Sequence, residues 1–133
     1  MASSDIAGIG DGKLRIAIHH PHAHRAAMLR TAVEAAGFVV RILPRHIDGL
    51  RAWIDACFDL LLINPFLDWQ EPSGFVRLAR SIAGRRPLLV VSDRDSLDDR
   101  MTALEAGADD AIDCTGNLPE LLARITSLLR RHH

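Results

Sequence analysis

The sequence predicts an α/β fold in which five parallel strands form a doubly wound (βα)5 sheet. Five short β-like runs alternate with five segments of helical pattern. Two of the runs, at residues 60–63 and 88–91, are continuously apolar, which is typical of strands covered on both faces. Parallel strands need crossover connections, so helices are expected on both faces of the sheet.

The first half of the chain supplies three strands and two helices. Residues 14–18 form a β-like run, and Pro21 suits the first turn of the helix that follows over residues 25–36. Gly37 ends that helix, and a strand over residues 38–43 stops at Pro44. The apolar positions at helical spacing are Ala27, Met28, Ala32 and Ala35 in this helix. In the next helix, over residues 46–57, they are Ile47, Leu50, Trp53 and Ile54.

The second half repeats the alternation after a loop over residues 64–73. A helix over residues 74–83 closes at Gly84 and precedes the apolar strand 88–91. Ser96 begins the next helix, with Asp99 completing a capping box, and Gly107 ends it. Met101, Ala103 and Leu104 are expected to face inward. After a brief strand at residues 111–112, Asn117 caps the last helix. Its apolar stripe comprises Leu118, Leu121, Leu122, Ile125, Leu128 and Leu129.

The length of 133 residues suits one domain. Residues 1–13 lack periodicity and are expected to be a flexible tail, residues 14–131 form the domain, and residues 132–133 resemble the start of an affinity tag. The glycine-rich run at residues 8–12 precedes the first strand. A phosphate-binding loop has to follow a strand and open a helix, so this run is not interpreted as one.

Composition excludes several classes of function. The net charge of −1 argues against a protein that grips nucleic acid by its phosphates, so no DNA binding is expected. No apolar run is long enough to span a membrane, and residues 1–13 lack the basic-then-apolar order that is typical of a signal peptide. Two cysteines, Cys57 and Cys114, are too few for a disulfide framework, and a cytoplasmic setting fits. Lys13 is the only lysine among 16 basic residues, a bias that suggests a GC-rich bacterial source.

Several segments, in this order along the chain, resemble the receiver domain of two-component response regulators, a CheY-like (flavodoxin-like) fold. They are Asp-Leu-Leu-Leu-Ile-Asn at 59–64, Pro-Leu-Leu-Val-Val-Ser at 87–92, Gly-Ala-Asp-Asp-Ala-Ile at 107–112 and Glu-Leu-Leu-Ala-Arg-Ile at 120–125. The resemblance implies a signalling module, not an enzyme. Typical receivers use an aspartate after the third strand as the phosphoryl acceptor, a Mg²⁺-binding acidic pair, a Ser or Thr, a Lys and a switch aromatic.

Carried over residue by residue, this site is degenerate. Asn64 stands at the acceptor position, and an amide has no carboxylate nucleophile. His19 and His20 stand in place of the acidic pair, Cys114 in place of the lysine and Ala111 in place of the aromatic, while Ser92 is retained. No Asp or Glu occurs between Asp11 and Glu34, so no realignment restores the acidic pair. The sequence therefore predicts a pseudo-receiver with no cofactor that does not take a phosphoryl group.

Four histidines lie within residues 19–24, at the edge where ligands bind in such sheets. The favoured interpretation is that they are solvated side chains in an obsolete Mg²⁺ pocket. The alternatives are a metal site formed by His20, His24 and Cys114, or a pH-sensing role. A phosphate-bearing nucleotide messenger is a further alternative, since Arg41, Arg45, Arg85 and Arg86 could supply guanidinium forks.

The charged segments 93–95 and 98–100 are interpreted as a solvated face of mixed sign. In receivers, the surface of the fourth helix, fifth strand and fifth helix often forms dimers through charged pairs. The resemblance implies such a face here, with Asp109 or Asp110 opposite Arg124 and with Arg100 opposite an acidic partner.

The resulting functional hypothesis is a non-phosphorylatable signalling module of a phosphorelay that acts through protein contact, with a histidine kinase, regulator or attached output domain as partner. One alternative is a ligand-sensing domain that binds a metal ion or nucleotide. Another is a phosphoryl acceptor displaced to Asp68 or Asp93.

Overall fold

The computed structural model describes residues 12–44, 49–66, 71–113 and 117–131. Within these residues, five strands and five helices alternate strictly along the chain. They are β1 (Arg15–His19), α1 (Ala23–Ala35), β2 (Val39–Ile42), α2 (Leu50–Asp55), β3 (Leu60–Ile63), α3 (Pro72–Ala83), β4 (Leu88–Ser92), α4 (Leu97–Ala106), β5 (Asp110–Asp113) and α5 (Leu118–Arg131).

The strands form one parallel sheet in the order β2-β1-β3-β4-β5. The register pairs His19 with Ile63 and Ser92 with Asp113, so the polar residues that end β1, β4 and β5, and Asn64 after β3, lie at one edge of the sheet. The predicted (βα)5 doubly wound architecture is confirmed.

Two apolar cores lie on opposite faces of the sheet. On one face, Leu29 and Val33 of α1 and Leu121 and Ile125 of α5 pack against the alternate strand residues that include Ile16. On the other face, the side chains of α2, α3 and α4 pack against the remaining strand residues; they include Trp53, Phe75, Val76, Ala79 and Ala103. The runs 60–63 and 88–91 are buried on both faces, as their continuous apolar character predicts.

The predicted helix ends are largely confirmed. Ser96 Oγ accepts from the Asp99 N–H at 3.1 Å, and Asn117 Oδ1 accepts from the Glu120 N–H at 3.2 Å. Gly84 and Gly107 follow α3 and α4 with positive φ of 64° and 124°, a conformation that residues with a Cβ rarely adopt. Among the described residues, no helix is both long and apolar enough to cross a membrane.

Two aspartates tie the start of one strand to its neighbour. Asp59 precedes β3 and accepts from the Arg15 N–H of β1 at 2.8 Å. Asp109 precedes β5 and accepts from the Leu88 N–H of β4, also at 2.8 Å. Each carboxylate thus pairs a backbone donor beyond the regular ladder, which helps to fix where each pair of strands begins.

Several predicted helix faces are wrong. In α1, Ala26, Leu29 and Val33 are buried, whereas Met28 is 49% exposed and Ala27 and Ala35 are also exposed. In α2, Ile54 is 56% exposed. The start of the predicted helix 46–57, including Ile47, lies outside the described residues.

In α4, Met101 and Leu104 were expected to face inward but are 48% and 46% exposed. Asp99 and Ala103 are the buried residues of this helix. The physical reason is that the Asp99 carboxylate is satisfied by partners at the end of β4, so it can turn inward in place of an apolar side chain.

Candidate functional site

His20, Asn64 and Asp93 meet at the carboxyl edge of the sheet. They follow β1, β3 and β4, three neighbouring strands in the sheet order. His20 Nε2 lies 2.8 Å from Asp93 Oδ2, and Asn64 Nδ2 lies 3.2 Å from the same oxygen. We call these three residues the edge cluster.

The hydrogen bonds assign the proton on His20. Its Nδ1 accepts from the His22 N–H at 3.0 Å, so a neutral ring carries its proton on Nε2 and donates it to Asp93. Asn64 Nδ2 is also a donor, and its 3.3 Å approach to His20 Nε2 is therefore a contact between two donors that share one acceptor. Asn64 Oδ1 accepts from the Phe66 N–H at 3.0 Å, which orients the amide.

Two residues of the edge cluster are buried, and the third, Asp93, carries a negative charge opposite the positive charge of Arg25. Asn64 is 0% exposed and His20 is 5% exposed. Arg25 Nη1 lies 3.7 Å from the second oxygen of Asp93. Burial lowers the pKa of His20 below the ordinary 6.5, and the Asp93 carboxylate opposes that effect without cancelling it. His20 is therefore neutral in the folded protein at pH 7.

The other two described residues of the predicted phosphosite point elsewhere. The His19 ring lies on the opposite face of the sheet, 5.1 Å from the Trp53 ring and 4.9 Å from the Phe75 ring. Ser92 Oγ donates to the Arg94 carbonyl at 3.0 Å and lies 3.3 Å from Asp99 Oδ2.

The metal alternative finds no support among the described residues. They contain no group of three His, Cys, Asp or Glu side chains arranged to hold an ion. His24 is exposed on α1 while His20 is buried against Asp93, and Cys114 lies outside the described residues. The interpretation of the His segment as solvated is wrong for His19 and His20, which are both buried.

Sequence reasoning named Asp93 as a displaced phosphoryl acceptor but missed its contacts with His20 and Asn64. It assigned residues 93–95 and 98–100 to a solvated face, but Asp93 lies in the edge cluster. Asp99 is buried under a two-pronged Arg94 contact of 2.8 and 3.0 Å. The available signal was position, because Asp93 follows a buried strand at the edge that carries His20 and Asn64. Asp95 and Asp98 are exposed, as predicted.

The switch position, Ala111, borders an open depression of about 410 Å³. Arg100 and Arg124 line its rim, and Arg124 pairs with Asp110 at 3.0 Å and with Glu120 at 3.1 Å. Arg100 pairs with Asp95 at 3.2 Å. Asp109 points to a different element, where it accepts from Arg80 of α3 at 2.9 Å.

The exposed side of α4 carries an apolar stripe, and two of its residues, Met101 and Leu104, were predicted to face inward. Leu97, Met101 and Leu104 lie at i, i+4 and i+7 and are 62%, 48% and 46% exposed. This spacing puts them on one face of the helix. We call the three residues the α4 stripe.

Fold and site geometry together indicate the class of CheY-like receiver domains. A receiver domain protein (CheY-like) from Methanospirillum hungatei JF-1 superposes with a TM-score of 0.77 and 24% identity, covering 90% of this chain and 95% of that one. A two-component response regulator from Clostridium difficile gives a TM-score of 0.78 at 19% identity, covering 91% and 99%. The predicted CheY-like fold is confirmed.

Sequence comparison supports the same class. The chain is 30% identical over 107 residues to the uncharacterized transcriptional regulatory protein YkoG of Bacillus subtilis (strain 168), covering 80% of this chain and 47% of YkoG. It is 31% identical over 101 residues to the transcriptional regulatory protein HprR of Escherichia coli (strain K12), covering 76% and 45%. No family model matches the chain. The chain is thus a response regulator receiver domain of the two-component type, and it spans about half the length of these relatives.

Proposed function

We propose that this chain is a non-phosphorylatable receiver module of a two-component pathway that acts in the cytoplasm through protein contact. The observation that carries the proposal is the closed hydrogen bonding of Asn64 at the end of β3. Its amide donates to Asp93 and accepts from the Phe66 N–H, and its side chain offers no carboxylate oxygen. Formation of an acyl phosphate needs such an oxygen as the nucleophile.

Asp93 is a poor substitute for the missing acceptor. Its Oδ2 already accepts from His20 and Asn64, and Arg25 lies near Oδ1. Attack on a phosphoryl group through Oδ2 would disrupt both hydrogen bonds, and attack through Oδ1 would replace the ion pair with Arg25. The alternative acceptor Asp68 lies outside the described residues.

The chain also lacks the charges that normally assist the transfer. No acidic residue lies between Asp11 and Glu34, so β1 offers no carboxylate for Mg²⁺. The only lysine, Lys13, precedes β1, far from the carboxyl edge of the sheet. The Asp93 carboxylate of the edge cluster faces the guanidinium of Arg25 at 3.7 Å, which offsets its negative charge.

The proposed contact surface comprises α4, β5 and α5. The α4 stripe supplies exposed apolar area, and the pairs of Arg100 with Asp95 and of Arg124 with Asp110 supply charges of both signs. A surface of this kind suits a second copy or a histidine kinase, regulator or attached output domain. We propose that the chain itself does not bind DNA.

The test is exposure to acetyl phosphate, and separately to beryllofluoride, each with Mg²⁺. Intact mass should show no added phosphoryl group, and amide NMR shifts around Asn64 should not move, while a receiver that has the aspartate reacts under the same conditions. The Asn64→Asp variant should also stay unmodified, since His20 still stands where receivers have an acidic residue for Mg²⁺. An adduct on the wild-type chain would overturn the proposal.

A further inference from the structure

The ring of His20 bridges the residue before α1 and the residue after β4. Its Nε2 reaches Asp93 beyond β4, and its Nδ1 holds the backbone N–H of His22, the residue that precedes α1. The side chain itself is completely buried. The imidazole thus fastens the residue before α1 to the carboxyl edge of the sheet, beside the ion pair of Arg25 with Asp93.

This arrangement is possible only for the neutral ring. A proton added to Nδ1 converts an acceptor into a donor, and that donor would face the His22 N–H at 3.0 Å. Two N–H groups cannot face each other at that distance, so the hydrogen bond between His22 and the ring must open. The bond to Asp93, by contrast, survives protonation and is strengthened by charge.

We propose that His20 is a pH-dependent switch. Proton uptake at Nδ1 from solvent releases the backbone of Pro21 and His22 from the ring and loosens the start of α1. The released segment adjoins a pocket lined by Arg25, Met28 and Leu118, so the device would open the α1 side of the edge cluster. It concerns a proton, not a phosphoryl group.

The charges that face His20 set the direction of the effect. Burial is the largest influence and lowers the pKa of His20. The Asp93 carboxylate raises it, and the charges of His22 and Arg25 lower it. Because the pKa of His20 is lower in the folded chain than the ordinary 6.5, the hydrogen bond from the His22 N–H is kept at neutral pH and opens only in acid.

The experiment is an NMR titration of imidazole nitrogens and His22 amide exchange in the whole chain between pH 5 and 8. His20 should be the Nε2–H tautomer at high pH and titrate below about 6.5. Protection of the His22 amide, corrected for intrinsic exchange, should fall about tenfold per pH unit as the pH drops toward the His20 midpoint, and it should level off below that midpoint.

Two variants distinguish a pH-dependent switch at His20 from a histidine with a merely structural role. Asp93→Asn keeps an acceptor for Nε2–H but removes the charge, so the midpoint of both signals should move to lower pH. His24→Gln, which changes an exposed histidine of α1, should leave both signals in place. An Nδ1–H tautomer, or His22 protection that does not follow the His20 titration, would overturn the proposal. Neither result bears on phosphorylation, which is read separately from intact mass.

Discussion

Individual aspartates beside the strands each accept a hydrogen bond from a donor elsewhere in the fold, and these donors explain their positions. Asp93, Asp59 and Asp109 all follow or precede a buried strand, and each accepts from a donor on a neighbouring strand or strand end. The residues themselves are visible in the sequence, but their partners are not, because 29 to 73 positions separate Asp93 from its partners. Asn64 was predictable as an amide filler, whereas the identity of its acceptor required the fold.

Asp109 gives the residue-scale prediction. Its carboxylate accepts from Arg80 and from the Leu88 N–H, so Asp109→Ala leaves a buried strand donor unpaired. The expected loss is about 1–3 kcal/mol in the free energy of unfolding. Chemical denaturation measures it. The matched control is Asp98→Ala on the exposed side of α4, where a change within about 0.5 kcal/mol is expected. Equal losses for the two variants would contradict this account.

At the scale of elements, existence and order were predictable while orientation was not. Glycine stops, the Ser96 and Asn117 caps and the two fully apolar runs located the elements, because these signals are local. The buried faces of α1 and α4 were misjudged for different reasons. In α1, alanines occur all round the helix, so its pattern does not distinguish one face. In α4, the partners of Asp99 allow a carboxylate to take an inward position.

The start of α4 should depend on pH through Asp99. Its pKa is lowered, chiefly by the Arg94 guanidinium and further by Ser92 and Ser96, while burial opposes the shift. Since the folded pKa lies below the unfolded value near 3.8, Asp99 contributes stability above that value, and the contribution is lost as pH falls through the folded pKa.

Asp99→Asn should therefore be less stable than the wild type at pH 7, and the difference should shrink on acidification toward pH 3. Denaturation at a series of pH values measures this trend. Asp95→Asn serves as the control, because the Asp95 side chain is 82% exposed and its partner Arg100 lies outside this network. A difference between Asp99→Asn and wild type that stays constant with pH would assign the loss to shape instead of charge.

One part of the molecular surface carries polar side chains that are already hydrogen-bonded, and another part carries exposed apolar side chains. The edge cluster satisfies its own hydrogen bonds, whereas the α4 stripe leaves three large apolar side chains at the surface beside paired charges. Composition could not separate these sides, since a net charge of −1 says nothing about how the charges are distributed. The α4 stripe is the feature that folding would not require, because polar residues at these positions would leave both cores intact.

Replacing Leu97 and Leu104 with Gln tests the proposed contact surface. Because both side chains are largely exposed, the melting temperature should change little, while self-association in sedimentation velocity or partner capture should weaken strongly. Met28→Gln together with Ile54→Gln is the matched control, since these residues are similarly exposed on α1 and α2. If both double variants associate as the wild type does, the α4 stripe is not the contact surface. If both weaken association equally, the effect reflects general surface hydrophobicity and the assignment to α4 fails.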